Sequence, residues 1–173
     1  LKVEGMEFAF SFGAGLGDYG DLTFSGNYNL YFTNESKADA TTPVLDCLGY
    51  YGASCGNPLP ESRFIQRTTW NWGNFEASYL WQYLGSTEIE PAQKDGTFPK
   101  FRSIGSENCF DLYFGYTMFE NVKLSLNIQN VFDQDPPVVG NEAGTTSANS
   151  GNTFPSMFTP LGTSYIMGVN VKF

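Results

Sequence analysis

Residues 121–132 read NVKLSLNIQNVF. Val122, Leu124, Leu126 and Ile128 fall on one parity, and Lys123, Ser125, Asn127 and Gln129 on the other. Strict alternation of this kind is the period of a β-strand with one apolar and one polar face. A helix would repeat its apolar residues three and four apart instead. What remains to be read is the solvent that each face meets.

The same alternation recurs along the chain. Met6, Phe8, Phe10 and Phe12 form the first apolar row, and Leu22, Phe24, Tyr28, Leu30 and Phe32 the second. Phe75, Ala77, Tyr79, Trp81 and Tyr83 form another, as do Phe110, Leu112, Phe114, Tyr116 and Met118, and finally Tyr165, Met167, Val169, Val171 and Phe173. The weakest row is RFIQRTTWNW, where Gln66 and Thr68 stand between Phe64 and Trp70. These rows predict seven strands near 3–12, 20–33, 63–72, 74–85, 108–118, 121–131 and 163–173. Short links (GAGLGDY, the Gly73 corner, FEN) alternate with long ones at 34–62, 86–107 and 132–162. That is an up-and-down antiparallel meander with two unequal rims.

Charge assigns the faces. Glu7, Asp21, Arg63, Arg67, Glu76, Asp111, Lys123 and Lys172 lie inside strands, and all take the parity opposite to the apolar row. The rest of that polar face is Ser, Thr, Asn, Gln and Gly, unlike the Lys- and Glu-rich exterior of a soluble sandwich. The apolar rows carry Tyr and Trp near strand ends, as the girdles of membrane barrels do. Strands of about 9–11 residues cross a bilayer at a tilt. In hydrocarbon every backbone group must be bonded, so such a sheet must close. Seven strands do not make a single-chain bacterial barrel, which has an even count of at least about eight. The chain is therefore expected to be all-β and part of a barrel, with its other strands upstream.

Composition narrows function. Aromatics make up 17% and charged residues 16% of 173 residues, and the net charge is −9. No basic patch favours nucleic acid. No stretch reaches the roughly 18 apolar residues of a transmembrane helix. The chain has no His, which removes Ser-His-Asp catalysis and His-ligated zinc from it, and no carboxylate pair stands out for hydrolysis. An enzyme is not expected, nor a cofactor or metal. Leu1 opens the chain and LKVEGMEF has no signal-peptide pattern, so a mature or trimmed chain is expected. Cys47 and Cys55 lie close together in the turn-rich DCLGYYGASCG. They are expected to close a small loop in an oxidising compartment; the alternative is three reduced cysteines. Cys109 is left over.

SYIMGVNVKF resembles the carboxy-terminal assembly signal of bacterial outer-membrane barrels, with Gly168, Val171 and the terminal aromatic Phe173 in the matching places. Ile166 stands where that signal usually carries a polar residue. An alternating, unpaired edge is a template for strand pairing, which is how barrel-insertion machinery would read it. More specifically, NVKLSLNIQNVFDQDPP, ENCFDLYFGY, DCLGYYGASCGNPLPESRF and SANSGNTFP with LGTSYIMGVNVKF are together similar to the carboxy-terminal part of a TonB-dependent outer-membrane receptor. The resemblance implies that 1–173 is the last seven strands of one 22-stranded transmembrane barrel domain, with the plug domain and earlier strands outside this chain. It implies active uptake of a scarce nutrient, of the ferric siderophore or oligosaccharide class, across the outer membrane of a Gram-negative bacterium. The partners implied are the rest of the receptor, the insertion machinery, TonB through the plug, outer-membrane lipid and a small-molecule substrate. The long links would then be outside and the short ones periplasmic.

Candidate ligand residues on the long links are Tyr50, Tyr51, Phe154 and Phe158, read as exposed aromatics able to stack on a sugar or an aromatic chelator; the plainer alternative is loop packing. Asn127, Gln129, Asp111 and Glu76 are expected to bond neighbouring strands or the plug. Asp133 and Asp135, with Pro136 and Pro137, are expected to shape a strand exit. NEAGTTSANSGN reads as a flexible polar loop. Two rival functions stay open at this point: a passive porin or channel, and a soluble carbohydrate-binding β-sandwich.

Overall fold

The computed structural model describes residues 1–37, 39, 41–119, 121–145 and 148–172. Its strands in chain order are β1 (Lys2–Gly15), β2 (Asp21–Ser36), β3 (Leu45–Asp46), β4 (Tyr50–Tyr51), β5 (Ser62–Trp72), β6 (Phe75–Leu84), β7 (Thr87–Ile89), β8 (Ser103–Ile104), β9 (Glu107–Met118), β10 (Val122–Gln129) and β11 (Ser164–Val171). The seven long strands form one antiparallel sheet in the order β1-β2-β5-β6-β9-β10-β11, each beside its neighbour in the meander. The sheet is open. Among the described residues β1 and β11 are its two edges. Among the described residues no second large sheet covers it.

Register makes the two faces explicit. One row runs Phe12, Phe24, Thr68, Tyr79, Leu112, Ile128, Tyr165 across all seven strands. Another runs Gly15, Asp21, Asn71, Glu76, Gly115, Ser125, Gly168. The first is apolar and the second small or polar, as alternation demands. The apolar face is left uncovered: Phe8, Phe12, Met167 and Val169 are all exposed.

Aromatic rings band the apolar face at both ends. Toward the long links, Tyr28, Phe64, Trp81, Phe110 and Phe132 follow one another with centroids 4.9 to 6.4 Å apart. Toward the short links, Trp70 contacts Trp72 and Phe75. The indole N–H groups of Trp70 and Trp72 donate to the carbonyls of Tyr19 and Asp18 at 2.7 and 3.0 Å. A ring that is apolar at one end and hydrogen-bonded at the other suits a membrane interface. The weak row of β5 also has its explanation. Gln66 is buried and donates to Thr68 Oγ1 at 2.7 Å. It pairs with Gly26, over which the Phe10 ring lies.

The short link after β1 approaches a neighbouring strand closely. Gly20 has φ of 84°, and a Cβ there would lie 1.9 Å from the Asn71 carbonyl oxygen. Only glycine fits such a turn.

The hydrophobic core is not in the long strands at all. Tyr51, Ile89, Ile104, Val139, Ala143 and Phe154 form it, and all six lie in the three long links. There β4 pairs parallel with β7, and β7 antiparallel with β8, in a second small sheet. The links thus build a folded cap on one rim. In the polar stretch 141–152 the described residues are correspondingly tied into the cap. Ala143 and Asn149 are buried, and Asn149 Nδ2 donates to the carbonyls of Gly140 and Ala143 at 2.6 and 2.7 Å. Composition had concealed this, because one amide side chain serves as the interior scaffold. No helix among the described residues is long and apolar enough to cross a membrane.

Candidate functional site

A cavity of about 500 Å³ lies where the sheet meets the cap. Its wall is the polar-face end of β5, β6 and β9, including Arg63, Ile65, Gln82, Leu84, Glu107 and Cys109. Its roof comes from the third long link: Gln134, Asp135, Pro136 and Pro137 on one side, Ser156 to Thr159 on the other. The volume is in the usual range for small-molecule sites, about 300–1,000 Å³. Register sets the wall, since Glu7, Asn29, Arg63, Leu84 and Glu107 form one cross-strand row.

The roof is held at a fixed angle by the strand exit NVFDQ. Asn130 is buried, with φ of 50°, and Asp133 has φ of 51°; Asn and Asp tolerate that region better than other non-glycine residues. Asn130 N–H donates to Asp111 Oδ1, Asn130 Nδ2 to the Gln134 carbonyl, and Gln134 N–H back to Asn130 Oδ1, each at 2.9 Å. Thr163 binds the same turn, through its hydroxyl to the Asn130 carbonyl at 2.8 Å and its N–H to Asp133 Oδ1 at 2.9 Å. Gln134 Nε2 also donates to Glu107 across the cavity. One turn therefore ties β9, β10, β11 and the roof together.

The polar face is largely self-satisfied elsewhere. Lys123 Nζ lies 2.6 Å from Glu76 Oε2, and Ser164 Oγ donates to Gln129 Oε1 at 3.1 Å. Arg67 donates to Ser78 Oγ at 3.1 Å. Arg63 differs: its Nε is buried and has no acceptor. The cavity offers this guanidinium, two carboxylates (Glu107 and Asp135), the amides of Gln82, Asn108 and Gln134, and apolar surface from Met157 and Phe158. Such a lining can bind and orient a ligand with both polar and apolar parts. Among the described residues no group of three or more His, Cys, Asp or Glu is placed to hold a metal.

The aromatic candidates divide. Phe158 lines this cavity. Tyr50 lines a second, polar cavity of about 360 Å³ with Leu48, Glu61, Ser62, Thr87 and Glu88. Tyr51 and Phe154 are not exposed, contrary to the sequence reading; both are fully buried, ring against ring. A large aromatic in a loop gains more by filling a core than by facing water. The Tyr51 hydroxyl donates to the Phe101 carbonyl at 2.6 Å. Burial, with the charge of Glu88, pushes its pKa up to about 12. The exposed Asp39 carboxyl is held below its usual range by the Thr41 hydroxyl and the N–H groups of Thr41 and Thr42. Cys47 and Cys55 are disulfide-bonded and Cys109 is free. Gly168 and Val171 sit in β11 opposite Ser125 and Val122; Phe173 lies outside the described residues.

Arg63, Glu107 and Asn130 were not singled out as ligand or roof residues by the sequence. The signal available was their position: polar-face residues at strand ends that adjoin long links.

No protein-family model matches the sequence, and no curated protein matches it either. Solved structures do. The chain resembles the ferric enterobactin receptor (PfeA) of Pseudomonas aeruginosa, in a point-mutant crystal structure, with a TM-score of 0.61 and 16% identity. Against the ferric enterobactin receptor (PfeA) in complex with BCV-L6 the TM-score is 0.63 and the identity 17%. Both overlays cover 99% of this chain and 22% of the receptor chain. The chain thus has the fold of part of that receptor and spans 22% of its length.

Proposed function

We propose that this chain is the carboxy-terminal seven strands of a 22-stranded, TonB-dependent transporter barrel in a Gram-negative outer membrane. The observation that carries the reading is the overlay of 99% of the chain on a ferric enterobactin receptor. The sheet chemistry supports it independently: an uncovered apolar face banded by aromatics, a polar face without a core, and two open edges that need further strands in hydrocarbon. Residues 1–173 are then one part of a barrel domain, completed by upstream strands and a plug, and energised by TonB through that plug.

In this reading the cap is extracellular and the cavity is an outer vestibule for a scarce nutrient of the ferric siderophore or oligosaccharide class. Arg63, Gln82 and Phe158 would contact it, with Tyr50 at the second cavity. The chain binds and passes a ligand without chemical change. Gly168, Val171 and Phe173 act as the assembly signal.

The test uses the intact protein in its own membrane. Detergent-dependent solubility, and uptake of a labelled ferric siderophore or oligosaccharide that stops when TonB is deleted, is the expected result. Uptake that persists without TonB would make it a passive channel, and a protein monodisperse in plain buffer would end the membrane reading. For the assembly signal, deletion of Phe173 is expected to lower the amount of inserted barrel; normal abundance would remove that role.

A further inference from the structure

Besides the core they share, the three long links are joined by hydrogen bonds around one tip. The Cys47–Cys55 disulfide closes the segment whose end presents the N–H groups of Ala53, Ser54 and Cys55. Those of Ser54 and Cys55 donate to Glu90 Oε2 at 3.0 Å each, and that of Ala53 to Gln93 Oε1 at 2.6 Å. Gln93 Nε2 continues to the Glu142 carbonyl at 3.3 Å, which joins the third link. Ser156 Oγ donates to Asn57 Oδ1 at 2.9 Å, which joins the third link back to the first.

Glu90 is only 3% exposed. Gly52 lies so close to it that a Cβ there would stand 2.5 Å from Glu90 Cγ and Cδ. A buried carboxylate stripped of its amide donors is costly. The tip and Glu90 therefore either stay together or part and let water in, with little between. The unit they hold is also the cavity roof. Met157 and Phe158 pack against the cap core and line the cavity.

We propose that the disulfide-closed tip, seated on Glu90, is the latch of a one-piece lid over the cavity. Access to the cavity is set by release of the tip from Glu90, not by independent movement of three loops. This rests on the cavity being the ligand vestibule.

Cys109 is a built-in reporter, because it is the free thiol and it lines the cavity. In the intact, membrane-inserted protein, its alkylation rate by a bulky maleimide is followed by mass spectrometry. The wild type is compared with the Cys47→Ser/Cys55→Ser double variant and with Glu90→Ala, in which the disulfide is intact. Asp95→Ala is the control, since Asp95 is exposed on the second link and lines neither cavity. Labelling about tenfold faster in both latch variants, and unchanged in the control, is expected for a local opening. Rates within about twofold of wild type in folded latch variants would overturn the latch. Should the double variant fail to insert, Glu90→Ala decides alone. Siderophore and oligosaccharide uptake are measured in parallel. Faster labelling with no uptake of either in any variant keeps the latch and removes the vestibule reading; unchanged labelling with intact uptake does the reverse.

Discussion

Tyr51 and Phe154 meet edge to face with ring centroids 5.5 Å apart, and neither ring reaches solvent. They belong to the first and third long links, so this contact fastens the cap across its width. Phe154→Ala should cost the cap about 3–5 kcal/mol, the usual range for deleting a buried phenylalanine. Hydrogen exchange should show this as lost protection in residues 47–58 and 87–104, while the long strands keep theirs. Equal loss in both would mean that cap and wall unfold together.

The Tyr51 hydroxyl gives the cap an alkaline limit. Its folded pKa of about 12 lies above its ordinary value of 10.0. A proton held more tightly in the folded state stabilises fully below the ordinary value, and that support is lost as pH rises from about 10 toward about 12. Proteolytic nicking of the cap should therefore rise through this window. Tyr51→Phe should weaken the cap by about 1 kcal/mol at neutral pH, through the hydrogen bond to Phe101. It should also flatten the alkaline rise; an unchanged rise would place the titrating group elsewhere.

Ile166 and Met167 are chain neighbours on opposite faces, paired with Asn127 and Leu126. In the proposed membrane barrel, Met167→Lys places a charge on the apolar face and should cost up to about 2–4 kcal/mol at midplane depth. Ile166→Lys, on the polar face, should insert normally. Equal amounts of folded barrel from the two variants would contradict the assignment of faces.

Gly26 carries the Phe10 ring. A Cβ there would stand 2.5 Å from Phe10 Cζ and 2.8 Å from the Ile65 carbonyl oxygen. Since the second of these atoms is backbone, Gly26→Ala cannot be absorbed by a rotamer change alone. A cost of about 1–3 kcal/mol is expected for such overpacking, read as a lower denaturant midpoint in detergent. Gly26→Ala combined with Phe10→Ala should not recover the wild-type value.

Asn130 serves four partners in a left-handed turn. Asn130→Ala removes the side-chain bonds to Gln134 and strains the backbone, for a loss of about 1–3 kcal/mol. Asn130→Gly relieves the strain but not the lost bonds, and should fall between the two. The cavity roof should loosen in both, measurable as faster Cys109 alkylation. A wild-type rate in both would show that the roof is held by the cap alone.

The long strands were legible because their demand is periodic. Leu124, Leu126 and Ile128 alternate with Ser125, Asn127 and Gln129, and no other structure satisfies that spacing. The cap was not legible. Tyr51, Ile89, Val139 and Phe154 obey no common period, since each joins the core from a different short piece of chain. The loop aromatics left ligand stacking and loop packing both open, and two of them pack against each other. The cavity was half legible: Arg63 and Asp111 were placed on the right face, but only the NVFDQ turn determines what lies above them. Gln66 shows the limit in the other direction, because an apolar face can admit a polar residue that finds its own partner.

The seven-stranded wall has no core of its own. Its geometry is carried mainly by the backbone ladder between neighbouring strands. Each wall position therefore asks for a class of residue and rarely for an individual one. Such a wall can change many of its letters while its shape stays put. The cap, where Tyr51 must fit Phe154 and Gly52 must clear Glu90, has no such freedom. Drift in the wall and restraint in the cap would let one scaffold keep its shape while the face built by the long links is rewritten only by coordinated change.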